Sequence, residues 1–434
     1  MWRALKLLRR CLYNNLHLSP PVESMLAEYG IKTLDDVDVS GKRVFVRVDV
    51  NSPIDPTTKR ILDDSRIREH TEQTIRELVS KKAKVVVLAH QGRKGDPDFT
   101  SLREHAEIMG RILGKKVQFV DDIFGEKAKS AIASLREGDV LLLENVRMWD
   151  KETKSATAEE HAKTELVQNL APYVDVFVVD AFAAAHRAHA SLVGFMPVAK
   201  HVVAGRVLEK ELRALAKVRA KPERPCVYIL GGAKAEDAAD ISEAVLGQGI
   251  ADYVLTGGLV ANLFLAAKGY DLGEPNMKVL EEKGFMELLL RFKDVLNRFS
   301  GRIILPEDLA VDVDGKRKEV GVNQLPTQYL IKDVGSKTLS QYEKIIAGAK
   351  SLVMNGPMGV FEVEEFALGT RKVFEAIAKS KAFSVIGGGH TIAAAAKFGY
   401  TNKVSHVSTG GGALMEFLSK GSLPVIEELK KYSK

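Results

Sequence analysis

From residue 43 onward the chain repeats one pattern eleven times: a short β-branched or aliphatic run, then turn residues, then a longer stretch of helical periodicity. That alternation predicts βαβ units, because parallel strands need a crossover long enough to hold a helix. In the first half the runs are "VFVRVDV" (44–50), "KVVVLAH" (84–90), "KVQFV" (116–120), "DVLLLEN" (139–145) and "VDVFVVD" (174–180). In the second they are "CVYILGG" (226–232), "DYVLTGG" (252–258), "RIILPED" (302–308), "SLVMNGP" (351–357), "FSVIGGG" (383–389) and "SHVSTGGG" (405–412). Eleven strands exceed one comfortable open sheet, so the expected fold is α/β with two doubly wound parallel-sheet, Rossmann-like domains.

Between the halves lies "GRVLEKELRALAKVRAKPERP", with Val207, Leu208, Leu212 and Leu215 as an apolar stripe and a Lys/Pro-rich end that stops it. It predicts a single long helix acting as a hinge. The expected division is an N-terminal extension over 1–24, a first domain over 25–204, the hinge helix over 205–224 and a second domain over 225–415. A C-terminal segment over 416–434 is expected to pack back on the first domain.

Residues 1–23, "MWRALKLLRRCLYNNLHLSPPVE", are basic, with apolar residues at helical spacing. A disordered extension ahead of Met25 is expected over a transit peptide or membrane-surface helix: no apolar stretch approaches the ~20 residues of a span, and no small-residue cleavage signal follows. The 63 Lys+Arg against 57 Asp+Glu leave a net charge of +6, and no long basic run with interleaved aromatics occurs. That balance suits a small anionic ligand and argues against nucleic acid. Cys11 and Cys226 are too few for a disulfide framework and have no metal-ligand spacing, which fits a reducing cytoplasm.

Ligands of open parallel sheets bind beyond the carboxyl ends of the strands. In the first half those ends carry Arg47, Asp49 and Asn51; His90 and Arg93; Asn145 and Arg147; and Asp180 followed by His186, Arg187 and His189 in "AAAHRAHAS". Arginine forks suit phosphate and carboxylate. The two histidines in "HRAH" lack the further ligands of a metal site and read better as capping or packed side chains. In the second half the ends carry glycine: Gly231 and Gly232, Gly257 and Gly258, Gly356, Gly387 to Gly389, and Gly410 to Gly412. Five such places on one sheet edge suggest a surface stripped of side chains so that a nucleotide can lie on backbone amides. Neither GxxxxGK[ST] nor GxGxxG after the first strand of either half occurs, which excludes a P-loop and removes the best support for a nicotinamide dehydrogenase.

Eight stretches, "RVDVNSP" (47–53), "AHQGR" (89–93), "LLENVR" (142–147), "DAFAAAHRAHAS" (180–191), "LGGAK" (230–234), "NGPMGVFE" (355–362), "GGGHT" (387–391) and "STGGGA" (408–413), resemble the ordered signature set of the phosphoglycerate kinases. The resemblance runs from about residue 30 to the end. It implies reversible phosphoryl transfer between ATP and the carboxylate of 3-phosphoglycerate, with Mg2+ accompanying the nucleotide. Carried over by motif, the implied triose contacts are Asp49, Asn51, Arg60 in "KRIL", His90, Arg93, Arg147 and Arg187. The implied nucleotide contacts are Gly231, Gly232, Lys234, Gly257, Gly258, Asn355, Gly356, Glu362, Gly387, Gly388, Gly389, His390 and Thr391. Arg60 and Lys234 are the implied catalytic cations, and no protein metal ligand is assigned. The resemblance implies 3-phosphoglycerate or 1,3-bisphosphoglycerate and ATP or ADP as partners, with neither nucleic acid nor membrane, for a cytoplasmic monomer or homodimer.

Two positions depart from the family pattern. His390 stands where "GGGDT" has a carboxylate, and "GGAKAEDA" has Ala238 in place of a second lysine. The sequence is similar to the archaeal branch at both, so they are expected to be lineage variants. The competing reading is a catalytically weak relative kept as a binding protein. Decay would also erode the anion-binding arginines, yet Arg60, Arg93, Arg147 and Arg187 are all present.

Overall fold

The computed structural model describes Leu26 and residues 30–433; the extension expected over 1–24 lies outside the described residues. The chain forms two compact units. The first holds residues up to Ala181, then Ala188–Arg213 and Val425 onward; the second holds Phe182–Arg187 and Ala214–Pro424.

The first unit is built on six parallel strands: β1 (Arg43–Arg47), β2 (Lys84–Leu88), β3 (Gln118–Val120), β4 (Val140–Leu143), β5 (Val176–Val179) and β6 (His201–Ala204), in the order β3-β4-β2-β1-β5-β6. Val44 pairs with Val85 on one side and Val176 on the other. Val44, Phe45 and Val46 are all sealed from water, as expected where helices cover both faces of a parallel sheet. Each such side chain contributes roughly 1.5–3 kcal/mol of transfer free energy. The chain starts at β1, builds outward through β2, and returns to add β5 on the other side of β1, so the strand order reverses between β1 and β5. A C-terminal helix, Pro424–Tyr432, belongs to this unit. Ser433 beyond it accepts from the Lys32 amide (2.7 Å) and donates to Val202 O (2.9 Å), and Tyr432 donates to Glu159 (2.6 Å). The preceding helix, Gly412–Lys420, lies in the second unit.

The second unit has its own parallel sheet of β7 (Cys226–Leu230), β8 (Tyr253–Thr256), β9 (Ile303–Ile304), β13 (Ser351–Asn355), β14 (Phe383–Gly387) and β15 (His406–Ser408). The order β15-β14-β13-β7-β8-β9 reverses between β7 and β13. Between β9 and β13 the chain inserts an antiparallel sheet of β10 (Asp308–Val313), β11 (Lys316–Gly321) and β12 (Ile331–Val334), which the run pattern did not predict. Its hairpin turns on Asp314 and Gly315, both at positive φ (50° and 78°), the conformation that Asp-Gly favours between paired strands. The run over 302–308 gives the parallel sheet only two residues, Ile303 and Ile304, and Pro306, which has no N–H to give a ladder, follows them before β10 begins at Asp308. The strand β6 was also missed.

The stretch 205–224 was expected as one regular helix. It is α-helical over Arg206–Leu215 and then widens into a π-helical turn, Ala216–Ala220, closed by Lys221 N donating to Ala216 O. The chain passes from the first unit to the second within it, between Arg213 and Ala214. Among the described residues no helix is long and apolar enough to cross a membrane.

Candidate active site

In the second unit candidate residues meet where the strand order reverses, between β7 and β13, and in the first they follow β1, β2 and β4, on one side of the reversal. In the first unit, β1 delivers Arg47, Asp49 and Asn51, and β2 delivers His90. Arg47 is 1 % exposed, and its guanidinium donates to Ser191 Oγ (2.8 Å), to Val48 O and to His90 Nδ1 (2.9 Å). Asp49 accepts from the Asn51 amide (3.0 Å) and from Arg66 (3.1 Å). Burial would raise its pKa, but His90, then Arg66 and the Asn51 amide, hold it at about 2.

A second layer of hydrogen bonds joins the turns. Asn51 Oδ1 accepts from the Gly92 amide (2.7 Å) and Arg147 donates to Gly92 O (2.5 Å). Gly92 has φ +65°, and a Cβ there would meet Phe99 N at 2.5 Å, so no other residue fits. Asn145 caps the turn that carries Arg147, accepting from its amide (3.1 Å), and donates to Gln91 O (2.8 Å). Gln91 in turn accepts from Ser52 N (2.8 Å) and from His105 (3.2 Å) and donates to Ser52 O (2.9 Å). Burial pushes the His105 pKa down to about 4, leaving it a neutral donor. Burial, then Arg47, likewise holds the His90 pKa well below its ordinary value.

The structure therefore brings Asp49, Asn51, His90 and Arg147 together through shared partners. Arg93 is exposed on the adjoining turn. Arg60 stands apart from that network, with its side chain 74 % exposed and paired to Glu104 at 3.0 Å. Arg187 lies in the segment Phe182–Arg187, which groups with the second unit. Arg66, Gln91, Glu152 and Ser191 were missed as site components. Gln91 sits inside the quoted "AHQGR", whereas nothing in the local sequence marks Arg66 or Glu152.

In the second unit, β7 ends in Gly231 and Gly232 and its neighbour β13 in Asn355 and Gly356. Gly231 N donates to Asn355 O (2.8 Å), Gly232 N to Pro357 O (2.8 Å) and Gly258 N to Met358 O (2.7 Å). Asn355 Nδ2 donates to Gly387 O (2.8 Å), and Thr391 Oγ1 accepts from Gly356 N (2.7 Å). Most of the glycines are thus explained by close protein packing. A Cβ on Gly231 would lie 2.2 Å from Pro357 O, one on Gly257 2.6 Å from Met358 Sδ, one on Gly356 2.1 Å from Gly231 O, and one on Gly387 2.0 Å from Leu414. Gly389 differs: a Cβ there meets nothing within 4 Å.

Four helices begin directly after these strand ends: Ala235–Gly247, Gly258–Lys268, Gly389–Lys397 and Gly412–Lys420. None has a side-chain cap; Gly258 N and Val260 N of the second donate to Met358 O (2.7 Å) and Gly232 O (3.2 Å), whereas Gly389 opens its helix with the positive end of the helix dipole uncovered by any side-chain cap. Gly232, Gly258, Pro357, Gly359, Glu362 and His390 help line a cavity of about 210 Å3. Lys234 is 57 % exposed and 3.8 Å from Asp237, whose pKa burial raises. Ala238 is 4 % exposed. Among the described residues no group of three His, Cys, Asp or Glu side chains is placed to hold a metal.

The family model phosphoglycerate kinase matches residues 34–421. A phosphoglycerate kinase of Methanothermus fervidus is 46 % identical over 402 residues, 93 % of this chain and 97 % of its own. That of Methanothermobacter thermautotrophicus is 47 % identical over 406 residues, 93 % and 97 % of the two chains. The crystal structure of phosphoglycerate kinase from Pyrococcus horikoshii superposes with a TM-score of 0.83 at 42 % identity, over 93 % of this chain and all of that one.

Proposed function

The chain belongs to the phosphoglycerate kinase family, and from that membership we propose how its two crevices divide the work. It is a kinase of glycolytic phosphoryl transfer. The first unit's crevice takes the triose: Asp49 and Asn51 meet its hydroxyl, and His90, Arg93 and Arg147 meet its anionic groups, with Arg187, which groups with the second unit, as a further triose contact. The second unit's crevice takes the nucleotide. Uncapped helix starts and the Gly387 to Thr391 turn receive phosphates, with Gly231, Gly232, Gly257, Gly258, Asn355 and Gly356 forming the floor and Glu362 meeting the ribose hydroxyls. The side chains clustered beyond β1, β2 and β4 in one unit, and the glycine-rich helix starts beyond β7 and β13 in the other, are the observation that carries this reading.

No general base is required. The nucleophile is a substrate carboxylate of pKa ~4, already ionised at neutral pH. What remains is positioning and charge: Lys234 and Arg60 offset the charge on the transferring phosphoryl. The substrate is ATP with Mg2+, and nucleotide oxygens and water would hold the ion, since among the described residues no group of three His, Cys, Asp or Glu is placed to do so and His390 stands where the family pattern has an aspartate. His390 is then a donor to phosphate. Residues 205–224 act as the hinge that brings the ligands into line and excludes water. The protein works in the cytoplasm as a monomer or homodimer.

ADP release from ATP and Mg2+ is measured with and without 3-phosphoglycerate, the acyl phosphate being removed continuously. Release that depends on the triose is expected. A folded protein that binds ATP without triose-dependent release would favour the catalytically weak relative and direct attention to Ala238 and His390.

A further inference from the structure

Behind His90 lies a chain of buried polar groups that the proposed function does not use. Glu152 is fully sealed from water, and both of its oxygens are committed to one residue: Oε2 accepts from Ser191 N (2.9 Å) and Oε1 from Ser191 Oγ (2.6 Å). With the Glu152 carboxylate ionised the Ser191 hydroxyl proton is thereby spent, and its lone pairs face Arg47, whose Nε–H donates to it at 2.8 Å. Arg47 then reaches His90 Nδ1 through Nη2 at 2.9 Å. A guanidinium has donors only, so Nδ1 must offer a lone pair. His90 is buried between Arg47 and further positive groups, which keeps it neutral. A neutral imidazole with a bare Nδ1 carries its proton on Nε2. Among the described residues Nε2 has no hydrogen-bond partner.

We propose that Glu152 and Ser191 are positioning residues which, through Arg47, lock His90 in the Nε2–H tautomer so that it meets the anionic triose as a donor. The proposal rests on the first unit's crevice being the triose site. The other tautomer would turn a lone pair toward the anion. A buried carboxylate is costly to keep, and here both of its oxygens are taken by Ser191, one by its amide and one by its hydroxyl. Glu152 and Ser191 themselves touch neither substrate nor reacting atoms. Without the carboxylate, the Ser191 proton is free to swing toward Arg47 and displace the guanidinium from Nδ1.

The imidazole 15N spectrum of the full-length protein tests this, the His90 signals being assigned by their loss in His90→Gln. The wild type should show one protonated Nε2 and one bare Nδ1, with Nε2 shifting on addition of 3-phosphoglycerate. Ser191→Ala should give a mixture of tautomers and raise KM for 3-phosphoglycerate by about 10- to 100-fold, the loss of a hydrogen bond to a charged group. Its kcat and its KM for ATP should stay within about threefold, since binding to ground and transition states is lost alike. Ser191→Thr, which restores the hydroxyl, should restore the tautomer. Should Ser191→Ala not fold, the wild-type spectrum and that of Glu152→Gln decide. A proton on Nδ1 in the wild type, or a tautomer unchanged in the variants, overturns the proposal. A locked Nε2–H tautomer that ignores 3-phosphoglycerate overturns it through the site reading instead, leaving the lock itself intact.

Discussion

His70 Nδ1 stands 2.8 Å from Asp180 Oδ2 with both side chains buried, and the other Asp180 oxygen accepts from Val207 N (2.9 Å) and Leu208 N (3.1 Å) at the start of the helix Arg206–Leu215. Asp180 therefore ties a histidine beside Asp49 to the first turn of the helix that leads out of the unit. Burial works against the charged imidazole, but the Asp180 bond and charge, with Asp49 and Glu69, outweigh it and leave the His70 pKa raised. A raised histidine stabilises fully below its ordinary value of about 6.5, and that contribution is lost as pH rises through the folded value.

Asp180→Ala should accordingly lower the unfolding free energy of the first unit by about 3–5 kcal/mol, because it strands a buried partner and two helix amides. Trp149, which packs edge-on to Phe124 at 5.7 Å in this unit, reports urea unfolding by its fluorescence. His70→Gln should remove the loss of stability that the wild type shows above pH 6.5. A wild-type profile that is flat there, or rises, would sink the charged-pair reading.

A second pH dependence comes from Glu152. Burial is the largest influence and pushes its pKa up to about 7, against the opposing pull of Arg47 and the Ser191 bonds. The folded state thus holds a proton that the unfolded state, near 4.5, releases. The stabilisation is complete below about 4.5 and is lost as pH rises through about 7, with a limiting slope of roughly 1.4 kcal/mol per pH unit. Urea midpoints between pH 5 and 7 should fall less steeply for Glu152→Gln than for the wild type. Parallel slopes would mean that the carboxylate is ionised throughout.

Arg60 separates activity from stability. Among the described residues its side chain pairs with Glu104, and an ion pair with an arginine 74 % exposed contributes at most about 1 kcal/mol. Arg60→Ala should leave the melting temperature nearly unchanged while triose-dependent ADP release falls about 100- to 1000-fold, the usual cost of losing a charge aimed at a transition state. Lys234→Ala, exposed and 3.8 Å from Asp237, should behave the same way. A fall below tenfold in either variant would remove that residue from the chemistry.

The parallel sheets were legible because buried strands read as aliphatic runs: β1 covers the start of the run over 44–50 and β7 the start of the run over 226–232, each stopping before its turn residues. The inserted sheet β10-β11-β12 was not, since β11 reads "KRKEVG" and shows no apolar alternation. Its signal was the Asp314-Gly315 turn, which was present and went unused. In the candidate site, arginines at strand ends could be read directly. The support behind them could not: Glu152 reaches Ser191 across 39 residues and Arg47 reaches Ser191 across 144, distances over which periodicity says nothing. Some of the glycines read as room for a nucleotide have a packing reason as well, since a Cβ on Gly231, Gly257 or Gly387 would meet Pro357, Met358 or Leu414.

Gly389 is where those two explanations part. It opens the helix Gly389–Lys397 without a positive φ, and a Cβ added there meets no protein atom within 4 Å. Alanine at a helix start costs the fold nothing and stabilises a helix interior by about 0.5–1 kcal/mol over glycine. Packing therefore gives no reason for the glycine, whereas a phosphate drawn onto the first amides does. Gly389→Ala should keep or raise the ligand-free melting temperature and reduce the ATP-dependent rise, as a loss of about tenfold in affinity would. Gly356→Ala is the contrasting case: at φ +88° with Gly231 O 2.1 Å from the new Cβ, it should destabilise the unit before any nucleotide is added. If Gly389→Ala binds ATP as the wild type does, the phosphates lie on another of the uncapped helix starts, and the same comparison at Gly412, whose Cβ would find only His186 at 3.9 Å, identifies which.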